Sequence, residues 1–399
     1  MARGGSHYDH FRRGFFFFGH HGFGHDNDDC GHGHDGFAHR GDCEGQFKSV
    51  GSMTTTRAFH TATLLNDGHV LIAGGSVDGT ENLLSSAELF NPSTKSFALT
   101  TGSLQEPLAS HTATLLLNGK VLINGGDNGV DTVADCELYD PTSQTFSFTG
   151  SMTTPRVLGT ATLFVHGPLR GEVLVTGGYD DTGNILNSAE LYDPSSENFT
   201  ATIGSMSVER SQHTATLLPN GKVLIAGGID NDADSLASAE LFDPVTQTFT
   251  PTGSMNTARG IHTANLLGNG DVLVAGGIVV TAGTPGPVLA SAEIYHNGVF
   301  YPADTMHDSR EDFTATTMLD GSVLTAGGID DNGVVLSSAD EFERGHFEKS
   351  DAMNDARWFH TATLLLNSKL QGAVLVTGGL DETGDAALSS AEIFIGDND

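Results

Sequence analysis

Val70-Leu71-Ile72-Ala73-Gly74-Gly75 is a short apolar run that ends in a glycine pair. The same pair closes a similar run at Gly125-Gly126, Gly177-Gly178, Gly227-Gly228, Gly276-Gly277, Gly327-Gly328 and Gly378-Gly379, seven in all. The spacing is about fifty residues, and a fixed period of this length marks a propeller or a solenoid. No helix pattern follows the glycines to present an N-terminus. The pairs therefore read as positions of close backbone approach, not as a phosphate cradle.

The flanking sequence repeats too. Before each pair lies a strand such as His60-Thr61-Ala62-Thr63-Leu64-Leu65, then a turn such as Asn66-Asp67-Gly68. Such a turn between apolar runs signals a hairpin. After the pair comes an acidic loop, a third strand such as Ala87-Glu88-Leu89-Phe90 closed by Asn91-Pro92, and a short last strand centred on Phe97. Four short strands repeated radially describe an all-β, seven-bladed propeller of four-stranded blades. The third strand recurs at Glu88, Glu137, Glu190, Glu240, Glu293, Asp340 and Glu392. The last-strand aromatic recurs at Phe47, Phe97, Phe146, Phe199, Phe249, Phe300 and Phe347, but Phe47 precedes every blade and none follows Glu392. A strand near residues 46–50 is thus expected to close the last blade and cover its open edge. The same strand supplied by a neighbouring molecule would build a polymer.

The chain divides into an extension, 1–46, and the repeats, 47–399. Its 399 residues hold 18 Lys and Arg against 50 Asp and Glu, a formal net charge of -32. That balance argues against nucleic acid and anionic membrane surfaces, which call for a basic patch. No apolar run approaches the length of a membrane-spanning helix. Phe15 to Phe18 is too short for a signal-peptide core, and no apolar stretch follows Arg12-Arg13. The extension carries eight of the 18 histidines and is rich in Gly, Phe and Asp. This composition reads as a flexible tail, with Phe15, Phe16, Phe17 and Phe18 as candidate anchors to identical subunits or to a cell surface. Cys30 and Cys43 can join only in an oxidising compartment, which favours an extracellular or surface location. Asp28, His32, His34 and Asp35 offer ligand types for a divalent metal, though their spacing matches no closed zinc site.

The pattern Arg-x-x-His-Thr-Ala-Thr-Leu-Leu, Gly-Gly, Ala-Glu-Leu-Tyr-Asp-Pro resembles the kelch repeat. It is most similar to bacterial kelch proteins related to the propeller of galactose oxidase, over roughly residues 47 to 399. The resemblance implies a seven-bladed propeller with functions from protein binding to oxidation. Galactose oxidase and its relatives place a Tyr-His pair of the copper site at the start of the first strand. The matching pairs here are Phe59-His60 and Phe359-His360. Phe cannot bind copper or form a tyrosyl radical, Tyr295-His296 falls on a third strand, and Cys136 stands in a packed Ala position. These departures count against a copper radical oxidase.

Candidate site residues follow from the repeats. Arg57, Arg156, Arg210, Arg259, Arg310 and Arg357 share the mouth of the ring, with Leu108 in the second unit. They are expected to bond a Glu or a carbonyl and pin neighbouring blades, or, with Phe47, to serve interaction. His60, His111, His213, His262 and His360 form a second series, broken by Gly159 and Phe313. They are expected to bond locally, the alternative being a metal ring of Zn or Cu at the channel mouth. Asp230-x-Asp232-x-Asp234 resembles half a Ca loop without its Gly and Glu. The leading expectation is a non-catalytic structural or protein-interaction module. The competing one is a metal-dependent, oxidase-like enzyme with its site at the channel mouth.

Overall fold

A computed structural model describes residues 45–366, 368–384 and 386–396. The first blade comprises Thr61–Leu64, Val70–Ala73, Ala87–Asn91 and Ser96–Leu99, paired antiparallel in chain order. Five further blades of the same order span 112–148, 160–201, 214–251, 263–302 and 314–350. The seventh holds Thr361–Leu364, Val374–Thr377 and Ala391–Ile395, and takes Gln46–Ser49 as its outer strand. The first strands of consecutive blades touch all the way round, so they line the axis.

Closure occurs within one chain. Phe47 pairs with Phe394 across the seam, their rings 4.9 Å apart. The same outer pairing recurs in the other blades, as in Phe90 and Phe97 at 4.9 Å. Phe47 is buried in this contact, which corrects its reading as a residue for partners.

The second strand is buried along its whole length, as in Val70 to Ala73. Successive side chains point to opposite sheet faces. Val70 and Ile72 accordingly pack toward the seventh blade, with Leu375 and Ile393. Leu71 and Ala73 pack toward the second, with Val121 and Ile123. Each such buried aliphatic stabilises by about 1.5–3 kcal/mol.

The glycine pair welds the blades. Gly74 and Gly75 have φ of 64° and 95°, in the left-handed region open to glycine. A Cβ would stand 2.4 Å from the Leu108 carbonyl at Gly74, and 2.5 Å from that of Ala58 at Gly75. The close approach lets the Gly75 amide donate to the Leu108 carbonyl of the next blade at 2.7 Å. Gly126, Gly178, Gly228, Gly277, Gly328 and Gly379 donate likewise to Arg156, Arg210, Arg259, Arg310, Arg357 and Arg57.

One insertion departs from the pattern. Ile278–Thr281 and Thr284–Val288 form a hairpin after the fifth Gly pair. It leans on the fourth blade through Ser235, whose amide donates to the Val280 carbonyl at 2.9 Å. It reaches the sixth through the Val288 amide, which donates to Asp331 Oδ1 at 2.8 Å.

Candidate functional site

The repeated polar residues are consumed inside the ring. The guanidinium of Arg57 donates to Gly74 O, Ser86 O and Glu88, all in its own blade. Glu88 also accepts the amides of Thr54 and Thr55. Arg156, Arg210, Arg259, Arg310 and Arg357 repeat the arrangement on Glu190, Glu240, Glu293, Asp340 and Glu392. All six arginines are buried. Burial pulls the Arg57 guanidinium below its usual range, and Glu88 opposes that shift. Two corrections follow. The side chains hold their own blades, while the backbone carbonyls join neighbours, because the planar fork points at its own third strand. Nor do these arginines meet a partner, since no guanidinium reaches the surface.

In the second blade Leu108 replaces the arginine, and Glu137 keeps only backbone donors such as the Gln105 amide at 3.0 Å. Burial without a counter-charge pushes the Glu137 carboxyl up to about 7.

The histidines stitch blade to blade. Nε2 of His60 lies 3.0 Å from Thr361 Oγ1 and 3.2 Å from Thr377 Oγ1 in the seventh blade. His111 meets Thr61, His213 meets Thr160 and Thr176, His262 meets Thr214, and His360 meets Thr314. Burial, then nearby Arg57, lowers His60 to about 3, and burial lowers His111 to about 4. His213 and His360 fall well below the ordinary value and His262 to about 3, also through burial. These rings are neutral hydrogen-bond partners, not a charge switch near pH 7. For the metal-ring alternative, the structure does not gather the five histidines at one point. Each His sits in a separate seam, and no group of three His, Cys, Asp or Glu suited to a metal gathers among the described residues. With Phe59 and Phe359 at the tyrosine position, the residues present do not fit a copper centre.

The acidic loops cap themselves. Asp230 accepts the amides of Asp232 and Asp234 at 3.0 and 2.9 Å, and Asp180 those of Thr182 and Asn184 at 2.9 Å. This geometry makes a side-chain turn through one carboxylate oxygen of Asp230. Asp28, His32, His34, Asp35 and Phe15 to Phe18 lie outside the described residues.

Where the histidine is missing, the seam changes. Gly159 leaves a cavity lined by Ser110, Thr112, Asn124 and Leu158, with room for about one water. Asn124 fills the seam from the other side and accepts from Thr112 Oγ1 at 2.8 Å. At the other break Phe313 packs into the core, and Thr263 Oγ1 is left buried without its usual histidine.

The mouth itself is a ring of residues between the Arg and His positions. Phe59, Ser110, Leu158, Gln212, Ile261, Asp312 and Phe359 all have φ between 50° and 57°. Non-glycine residues seldom adopt this region, and strain of this kind persists only when surroundings enforce it. Here a backbone belt enforces it. The Ser110 amide donates to Phe59 O, Phe59 to Phe359 O, and Phe359 to Asp312 O, at 3.0, 3.3 and 3.2 Å. Gln212 donates to Leu158 O and Ile261 to Gln212 O.

The side chains on this belt break the sevenfold order. Phe59 and Phe359 stack with centroids 4.1 Å apart, and Trp358 lies 4.5 Å from Phe359. Next to them the sixth blade carries Glu311-Asp312, both half-buried. Burial and Asp331 raise the Glu311 carboxyl, while burial and Glu311 raise that of Asp312. The hairpin 278–288 flanks them, since Asp331 holds its Val288. Repeat-by-repeat comparison of the two columns between Arg and His would have found this cluster. Those columns read Ala-Phe, Ala-Ser, Val-Leu, Ser-Gln, Gly-Ile, Glu-Asp and Trp-Phe in blade order.

Comparison with known proteins agrees with the architecture. The family model of the Kelch motif matches residues 163–201 and 210–256. No curated protein matches the chain. A fungal alcohol oxidase of the AA5 family, solved in complex with copper, is similar with TM-score 0.70 and 16% identity. That likeness covers 88% of this chain and 76% of the oxidase. The solved structure of YjhT is similar with TM-score 0.57 and 16% identity, over 74% of this chain and 97% of that one. At such identity the likeness speaks for the fold alone, because one fold hosts many chemistries. With its recurring Arg, His and Gly-Gly positions in place, the chain is a seven-bladed β-propeller carrying Kelch motifs.

Proposed function

We propose that the protein is a non-catalytic interaction module that engages a protein partner at the axial mouth. The supporting observation is the contrast between the repeated residues and the mouth. Arginines and histidines of the repeats are buried and hydrogen-bonded inside the ring, whereas the mouth is where the blades differ from one another. Variation on a rigid scaffold is how such folds carry function.

A photo-reactive residue placed at Leu158 or Ile261 of the full-length protein tests this reading. Incubated with extract of the source cells, it forms one adduct of defined mass. The same residue at Val245, an outer-turn position 76% exposed, does not. Equal labelling from all three positions would end the proposal. Peroxide production from alcohols by copper-loaded protein would replace it with the oxidase-like alternative. Assembly of identical subunits through residues 1–46 is a separate part of the proposal. Mass photometry of the full-length protein checks it, and a single monomeric species would remove it.

A further inference from the structure

We propose that the axial mouth receives an arginine side chain of the partner, seated at the Glu311–Asp312 carboxylates beside the Phe59–Phe359 aromatic pair. This rests on the reading of the mouth as the binding face and names the chemistry bound there.

The first ground is hydrogen bonding. The buried third-strand acids have donors: Glu88 takes Thr54, Thr55 and Arg57, and Asp340 takes His307 and Arg310. Neither Glu311 nor Asp312 accepts a side-chain hydrogen bond or ion pair among the described residues. The adjacent Arg310 is already committed to Gly327 O, Ser338 and Asp340. Carboxylates withdrawn from water without donors are unfavourable, and a donor-rich cation relieves them.

The second ground lies elsewhere on the belt. Gln212 Oε1 is buried and has no hydrogen-bond partner. It is uncharged and stands on the belt in the fourth blade, two positions from Asp312.

The third is shape. Asp312, Phe359 and Phe59 are consecutive on the hydrogen-bonded belt. A guanidinium lays its flat face on an aromatic ring while its edge meets a carboxylate. A hard metal ion is a poor fit, because calcium takes six to eight oxygens and Leu158, Ile261, Phe59 and Phe359 offer none. The net charge of -32 adds long-range attraction for a basic segment.

The test titrates the full-length protein with capped Gly-Arg-Gly and with its citrulline counterpart, which keeps the shape without the charge. Salt is held at about 0.15 M to screen distant charges. The arginine peptide should bind about tenfold more tightly than the citrulline one. E311Q/D312N should abolish that preference, and F59L/F359L should reduce it. E197Q/E348Q, which removes two exposed acids on outer strands and turns, should leave it intact. Equal binding of the two peptides, or a preference surviving in E311Q/D312N, overturns the inference. So does free arginine amide binding as tightly as the peptide, since the site would then be one for a small cation. Adduct formation at the mouth without arginine preference would remove this inference and leave the interaction module standing. Absence of both would remove the two together.

Discussion

The first and sixth blades enter the ring through the same five positions and use them differently. Arg57-Ala58-Phe59-His60-Thr61 holds a buried arginine on Glu88, an apolar mouth residue, and a histidine bonded across the seam to Thr361. Arg310-Glu311-Asp312-Phe313-Thr314 keeps the arginine on Asp340 but replaces the next three residues. Histidine becomes a core phenylalanine, and two carboxylates appear at the mouth. Arginine is retained because it belongs to its own blade, where a buried Glu or Asp needs it. The histidine is exchangeable because a seam can be filled by another shape. The mouth is free to vary because backbone hydrogen bonds, not side chains, join neighbouring blades there.

The pH response separates the two blades most strongly. Histidines with folded pKa below 6.5 are protonated first in the unfolded chain. Their stabilisation is whole above that pH and drains as pH falls toward 3 to 4. Each contributes a loss of about 2 kcal/mol between pH 6.5 and 5. Glu311 and Asp312 have raised pKa values, so they act in the opposite sense: ionised at neutral pH they weaken the fold, and acid relieves them. Urea denaturation at pH 7 and pH 5 should therefore show a large acid loss, steeper still in E311Q/D312N. Equal stability at the two pH values would mean that the histidines are not buried neutral.

The next effect concerns the arginines. R210L leaves Glu240 buried without its partner and should lower stability by about 3–5 kcal/mol. The second blade lives with Leu108 at this position, its Glu137 being raised to about 7. If R210L is as benign as that natural case, the guanidinium is dispensable and the backbone amides alone hold the glutamate. A smaller loss, about 1–3 kcal/mol, is expected for H213A, which abandons Thr160 and Thr176 and opens a cavity. E311Q/D312N acts in the opposite direction and should raise stability at pH 7, because burial and mutual repulsion hold both carboxyls above their ordinary values.

Much of this was legible in the sequence because it recurs. Seven Gly pairs, seven third strands and a displaced Phe47 were enough to place the closing strand at 46–50, and it pairs with Ala391–Ile395 as that count requires. The bonding of arginine to the third-strand acid was also readable from recurrence. What escaped was whatever occurs once. Glu311 and Asp312 sit in columns with no common residue type, so periodicity gives them no weight. The exchange of His for Gly159 against Asn124 joins positions in two blades, and only the seam geometry reveals them as neighbours. The hairpin 278–288 also occurs once, and Gly283 and two prolines interrupt its strand pattern.

The central claim is that repeated polar residues serve the fold while the mouth of the sixth blade serves binding. Titration of the arginine peptide into H213A and E311Q/D312N, each paired with its urea denaturation curve, tests that division directly. The account predicts that H213A loses stability and keeps arginine-selective binding, while E311Q/D312N keeps stability and loses that selectivity. The reverse pattern, with selectivity abolished in H213A and retained in E311Q/D312N, would contradict it.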